Sequence, residues 1–214
     1  PRAVAAGCVV IDNSSYFRQD HDIPLIIPEV NPQALTGYKK RNIIANPASA
    51  TIQMLVALKP LHDAVKITRI NIASYQAVSG SGRSGVDELA SQTAQLLNGR
   101  PVDARVYPKQ IAFNVLPQVE SPQENGYTDE EMRLVAEARK ILDYPTLMVN
   151  PSVVLVPVFF GHSLALTIET ETKLTVSEAR ELLSSAAGVV LMDYQLDGSC
   201  PTAVTDAAHE DSVL

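Results

Sequence analysis

Residues 43–54, reading Ile-Ile-Ala-Asn-Pro-Ala-Ser-Ala-Thr-Ile-Gln-Met, constrain the fold more than any other stretch of this chain. Ile43, Ile44 and Ala45 form the short apolar run of a buried strand. Asn46 then reads as a helix N-cap, and Pro47 as the first helical residue, where its missing N–H would be unpaired in any case. A strand running straight into a helix is an α/β connection, and it seats Ser49 in the helix's first turn. Unpaired backbone N–H groups and the positive end of the macrodipole meet there, which suits a nucleophile or a developing oxyanion. Taken alone, Ser49 is an ordinary first-turn serine; the strand, the Asn-Pro pair and the helix around it single it out.

Other elements follow from the same kind of pattern. Residues 7–12 are a continuous apolar run ending in Asp12-Asn13-Ser14-Ser15, as a parallel strand buried on both faces ends in a loop. The helix opened by Pro47 is expected to reach about His62, near Pro60. Residues 65–78 predict a long β-branched strand, 86–97 a helix, and 104–116 a further strand. Residues 117–127 read as a loop. Thr128 to Glu131 and Thr175 to Glu178 are capping boxes, opening helices to about Leu142 and Ala187. Residues 153–160 and 164–171 predict two apolar strands meeting at a tight Gly161-His162-Ser163 corner, and residues 189–194 a last strand.

Gly80-Ser81-Gly82-Arg83-Ser84-Gly85 satisfies G-x-G-x-x-G after a strand and before a helix. It is not a dinucleotide fingerprint. The acidic residue expected about 20 positions on, closing the next strand, is absent, because Asp103 precedes a segment with Arg105 and Tyr107.

Composition removes several function classes. A net charge of −7, with no basic cluster longer than Lys39-Lys40-Arg41, excludes nucleic acid as an expected partner. The longest apolar run, 153–160, is too short to span a bilayer, and no signal pattern opens the chain, so the expected location is cytoplasmic. Cys8 and Cys200 form neither a disulfide framework nor a metal spacing, and no metal site is expected. Starting at Pro1 and entering a strand almost at once, the chain reads as a piece of something longer.

Four phrases carry a family resemblance: Ile-Ile-Ala-Asn-Pro-x-x-x-Thr-Ile-Gln-Met, Asn-Ser-Ser-x-Phe-Arg, Tyr-Gln-Ala-Val-Ser-Gly-x-Gly, and Val-Pro-Val-x-x-Gly-His-Ser. Together they make the chain similar, from residue 6 to about 206, to the aspartate-semialdehyde dehydrogenases. The resemblance implies an α/β (α+β) fold with a mixed, largely antiparallel sheet and helices on one face. Residues 1–30 would end a Rossmann-type dinucleotide domain. Residues 31–214 would form the catalytic and dimerisation domain, without the family's closing strand and long helix. It further implies a homodimer and NADP, whose main binding domain lies outside this chain.

Residue by residue, the resemblance places Ser49 where the family carries its acyl-bearing cysteine, with Gln76 fixing the substrate and His162 as general base. Arg18 matches the phosphate-holding arginine, Glu130 the substrate-amine carboxylate, and Arg133 the phosphate-binding lysine. Ser79, Gly80, Ser81, Gly82 and Arg83 match the loop under the nicotinamide. Ala48 stands where the family has a phosphate-contacting Asn, and Leu155 where it has the arginine for the substrate carboxylate. Each residue also has a plain structural reading: a solvated arginine, a strand-end glutamine, acidic residues completing a cap, a histidine in a turn. Three functions stay open. The first is a relative that has lost catalysis but keeps a dimerising, cofactor- or ligand-binding fold. The second is an oxidoreductase of altered substrate or mechanism, with Ser49 and His162 as hydroxyl and base. The third is a working dehydrogenase using another thiol.

Overall fold

The computed structural model describes residues 2–192, 200–208 and 210–214. A short helix α1 (Arg2–Ala5) leads into strand β1 (Val10–Asp12), shorter than the sequence suggests. After a 3₁₀ segment (Pro32–Lys40), β2 (Ile43–Ala45) pairs parallel with β1, Ile11 opposite Ile44. The expected strand-to-helix connection is therefore present, and its strand belongs to the first, two-stranded sheet. Helix α2 (Ser49–Val65) starts two residues later than Asn46-Pro47 predicts and runs three residues past His62, with Pro60 inside it. The late start has a physical reason: the Asn46 N–H donates to the Asp12 carbonyl at 2.8 Å, which prolongs the β pairing. Ala48 becomes the cap residue without a side-chain capping bond of its own.

The second sheet has three strands, β3 (Ile67–Gln76), β4 (Met148–Leu155) and β5 (Ser163–Thr170), with β3 in the middle. It is mixed: β4 runs parallel to β3 and β5 antiparallel. Pro151 is tolerated because β4 is an edge strand. The tight corner expected between the last two strands is not there, since β3 separates them. Residues 156–162 instead cross the end of β3, stitched by Val156 N–H to Gln76 O, Val78 N–H to Val158 O and Ser79 N–H to Phe159 O. This crossing brings Gln76, Leu155 and His162 to one end of the sheet.

One face of the sheet is covered. Ile70, Ile72, Ser74 and Gln76 of β3 are buried, while Arg69, Asn71, Ala73 and Tyr75 between them are not. The covering layer is α2, with Met54 and Leu55 fully buried, and α4 (Asp129–Ile141), with Leu134 and Ala138 fully buried. Each large side chain so removed from water contributes about 1.5–3 kcal/mol. Helix α5 (Val176–Ser184) packs on α2 from outside. Both predicted capping boxes, at Thr128/Glu131 and Thr175/Glu178, are formed in full. No described helix is long and apolar enough to cross a membrane.

Helix α3 (Gly82–Leu97) explains why the strand predicted over 104–116 does not form. Glu88 accepts the N–H groups of Arg105 and Val106 at 3.0 and 2.6 Å, and Gln92 those of Ile111 and Ala112 at 3.0 and 3.2 Å. The helix's polar face thus replaces a neighbouring strand, and only Leu116 bridges to Leu155. At the far end, Val189 makes a single bridge with Val213, and the remainder of the strand expected over 189–194 lies partly outside the described residues.

Candidate active site

The end of the second sheet, the first turn of α2 and one face of α4 enclose a cavity of about 390 Å³, within the range of small-molecule sites. Of the residues singled out in the sequence, Arg18, Ser49, Gln76, Gly80, Ser81, Glu130, Arg133 and His162 line it. Ala48 and Leu155 do too. Ser79, Gly82 and Arg83 are not in its wall; the Arg83 side chain is exposed and paired with Asp87.

Ser49 opens α2, and its Oγ lies 2.9 Å from His162 Nε2. The polarity of that bond is set behind the ring. Ala77 donates its N–H to His162 Nδ1 at 3.0 Å, so Nδ1 holds a lone pair and the proton of the neutral imidazole sits on Nε2. His162 therefore donates to Ser49. A hydroxyl-and-base pair needs the reverse, with Nε2 free to take the proton. Charging the ring would set an Nδ1–H against the Ala77 N–H, and burial already pulls the imidazole below its ordinary range. The turn that carries His162 is fixed by Gly161 at φ +87, where a Cβ would collide with the Ala203 carbonyl.

Gln76, at the last position of β3, donates Nε2 to Glu130 Oε1 at 2.8 Å. The other oxygen of Glu130 takes Arg133 Nη1 at 2.6 Å, and Arg133 also grips Glu120 at 2.6 and 3.0 Å. Burial opposes the Arg133 charge, but Glu120 and Glu130 outweigh it and hold the guanidinium firmly protonated. Arg18 is buried, bonded to Asn13 O at 2.9 Å and to Glu137 at 3.1 Å, and its Nε has no partner.

The sequence reading missed Glu137. Fully buried, it accepts from Arg18 with one oxygen and, with the other, from the Ala48 N–H at 2.9 Å and the Thr51 hydroxyl at 2.7 Å. It is the cap that α2 lacks locally, and it ties Arg18 to the seat of Ser49. One turn on, Lys140 donates to the carbonyls of Arg18, Asp20 and Ile23 at 2.8, 2.7 and 3.0 Å, and burial lowers its pKa. A signal was available: 130, 133, 137 and 140 share one helical face. Tyr107 was also missed. It reaches the cavity wall because Gly85, whose Cβ would collide with its hydroxyl, leaves it room.

A sheet end, a helix N-terminus and a polar helix face sharing a cavity invite comparison with known proteins. The family model for the semialdehyde dehydrogenase dimerisation domain matches residues 58–214, and the one for the semialdehyde dehydrogenase NAD binding domain matches residues 1–38. The aspartate-semialdehyde dehydrogenase of Shewanella sp. (strain DB6705) is 53% identical over 213 residues, covering 100% of this chain and 62% of the relative. That of Legionella pneumophila is 52% identical over 214 residues, with the same shares. The crystal structure of aspartate semialdehyde dehydrogenase II from Vibrio cholerae, complexed with ASA, superposes with a TM-score of 0.95 at 50% identity, covering 99% of this chain and 62% of that one. A probable aspartate-semialdehyde dehydrogenase from Pseudomonas aeruginosa gives 0.88 at 32% identity over the same shares. The chain belongs to the semialdehyde dehydrogenase family, and it spans 62% of the length of these relatives.

Proposed function

We propose that this chain comes from a semialdehyde dehydrogenase that has lost the NADP-dependent reaction of its relatives and retains a homodimerising, ligand-binding fold. The observation that carries this reading is the polarity of the Ser49–His162 bond. An Nε2–H donor stabilises a thiolate, which a cysteine at a helix N-terminus supplies at neutral pH; a serine hydroxyl without a base keeps its proton. Ala48 brings no side-chain amide to a phosphate, and Leu155 is an apolar wall where the family's arginine would meet a carboxylate.

For the cofactor, Gly80 and Ser81 are the small residues of the loop that line the cavity; the assignment of Ser79, Gly82 and Arg83 to NADP rests on the family resemblance alone. When bound, NADP supplies the hydride acceptor. Dimerisation would use the uncovered sheet face, where Tyr75 and Met148 are 44% and 41% exposed; a monomer by light scattering at micromolar concentration overturns this part. A second reading, an oxidoreductase acting on a different aldehyde or acyl phosphate, draws support from the intact Gln76–Glu130–Arg133 chain.

The test is a progress assay of the whole protein with aspartate semialdehyde, phosphate and NADP. The expected result is no turnover, and only a trace for Ser49→Cys. An unpaired substrate carboxylate alone costs at least ~2–5 kcal/mol, roughly 30-fold or more in rate. Ala48→Asn, Ser49→Cys and Leu155→Arg together form the rescue. Turnover by the unaltered protein at about 1–100 per second refutes the lost-catalysis reading.

A further inference from the structure

We propose that Glu120 is an internal competitor for Arg133: it fastens the strap of residues 117–121 at the cavity wall and keeps the guanidinium from anions until it is displaced. The contact stands whether or not turnover survives.

The strap is anchored at both ends and loose between them. Leu116 and Leu155 exchange N–H···O bonds at 3.0 and 2.9 Å, and the Ser121 carbonyl accepts the Asp129 N–H at 2.9 Å. Among the described residues, no backbone–backbone hydrogen bond holds 118–120. Gln118, Val119 and Glu120 nevertheless line the cavity. Val119 seats the strap by packing both on the main core and on the smaller apolar cluster around Leu89 and Ile111, so the part free to move is Glu120.

Two features mark a contact that can open. Glu120 sits at φ +64, a left-handed backbone that a residue with a side chain adopts only at a cost. Its side chain is 42% exposed, so water and salt reach the pair and weaken it.

What holds Glu120 in place is one guanidinium, gripped twice. Arg133 Nη1 and Nη2 donate to the two Glu120 oxygens at 3.0 and 2.6 Å, and Nη1 donates also to Glu130 at 2.6 Å. Both Nη1 protons and one Nη2 proton are thereby engaged, leaving one Nη2 proton and the Nε–H. Two carboxylates around one guanidinium give this corner an excess negative charge, which opposes an entering anion. Release of Glu120 leaves Arg133 balanced by Glu130 alone and frees a forked pair of donors in the cavity wall. A lysine, which the resemblance places here, has a single ammonium and cannot close the two-oxygen fork; the latch therefore belongs to the arginine.

The test is the rate at which p-hydroxyphenylglyoxal, which attacks guanidiniums, modifies Arg133 in the full chain, read by peptide mass spectrometry. Arg133 should react about tenfold faster in Glu120→Gln than in the unaltered chain, while Arg18, held by Glu137 and the Asn13 carbonyl, keeps its rate. Salt at about 1 M should speed Arg133 in the unaltered chain by much more than in Glu120→Gln. Inorganic phosphate should protect Arg133 in Glu120→Gln at about a tenth of the concentration needed in the unaltered chain. An Arg133 rate that ignores both the substitution and the salt, phosphate protection at the same concentration in both proteins, or protection in neither overturns the proposal. If Arg18 quickens as well, the substitution has loosened the fold; the salt arm on the unaltered chain then decides, and an unchanged Arg133 rate there overturns the proposal.

Discussion

Helices α4 and α5 open on the same device and end up in different roles. Each has a threonine N-cap whose side chain accepts the N3 amide while a glutamate at N3 reaches back to the cap, completing the box. Yet α4 buries Glu130, Leu134, Val135, Glu137, Ala138 and Ile141, and α5 fully buries none of its residues. A cap starts a helix; it says nothing of where the helix goes. What distinguishes α4 is a polar row within a mostly buried face, and polar groups there persist only because each meets a partner from another element. Glu137 meets Arg18 and the start of α2, Glu130 meets Gln76 and Arg133, and Glu131 also accepts the Val153 N–H of β4 at 3.0 Å. The same residue types on α5 are solvated.

Three measurements test how differently α4 and α5 are held. Glu137→Ala leaves the Arg18 guanidinium buried without its carboxylate and uncaps α2, and should lower the unfolding free energy by about 3–5 kcal/mol in a urea titration. Glu181→Ala, an exposed glutamate of α5, should stay within about 0.5 kcal/mol. Similar losses from the two would mean that burial does not separate the helices. Next come the caps: Thr128→Ala should cost about 2 kcal/mol, because Glu131 also anchors β4, and Thr175→Ala about 0.5–1 kcal/mol. If Thr175→Ala proves the costlier, the account of α4 as the anchored helix fails. The smallest effect is in acid. The Thr175 hydroxyl, and then its N–H, hold the Glu178 carboxyl below its ordinary 4.5. The folded state therefore favours the ionised form, and the contribution is complete above the unfolded value and lost as pH falls through the lower folded one. Protection of the amides at the start of α5, corrected for the intrinsic pH dependence of exchange, should fall below about pH 4.5, and unchanged protection down to pH 3 contradicts it.

Interactions local in the chain were legible in the sequence, as were those repeated as a family pattern. Both capping boxes lie within four residues, and the helices expected after Pro47, over 86–97 and from Thr128 are formed, because the physics acts between neighbours. Ser49, Gln76, His162, Arg18, Glu130 and Arg133 could be named from short phrases, and they line one cavity. Only the tertiary structure decided the rest. Residues 104–116 have the composition of a strand, but a strand exists only if another strand takes its amides, and here Glu88 and Gln92 take them first. The α2 helix begins at Ser49 because the Asn46 amide stays paired with Asp12 and Glu137, 89 residues beyond Ala48, caps Ala48. Whether His162 gives or takes a proton depends on the Ala77 amide, 85 residues away in the chain and 3.0 Å away in space. Sequence patterns carry which groups are present and how neighbours cooperate; the direction of a hydrogen bond between distant segments is fixed only once packing has brought them together and excluded water from the alternative.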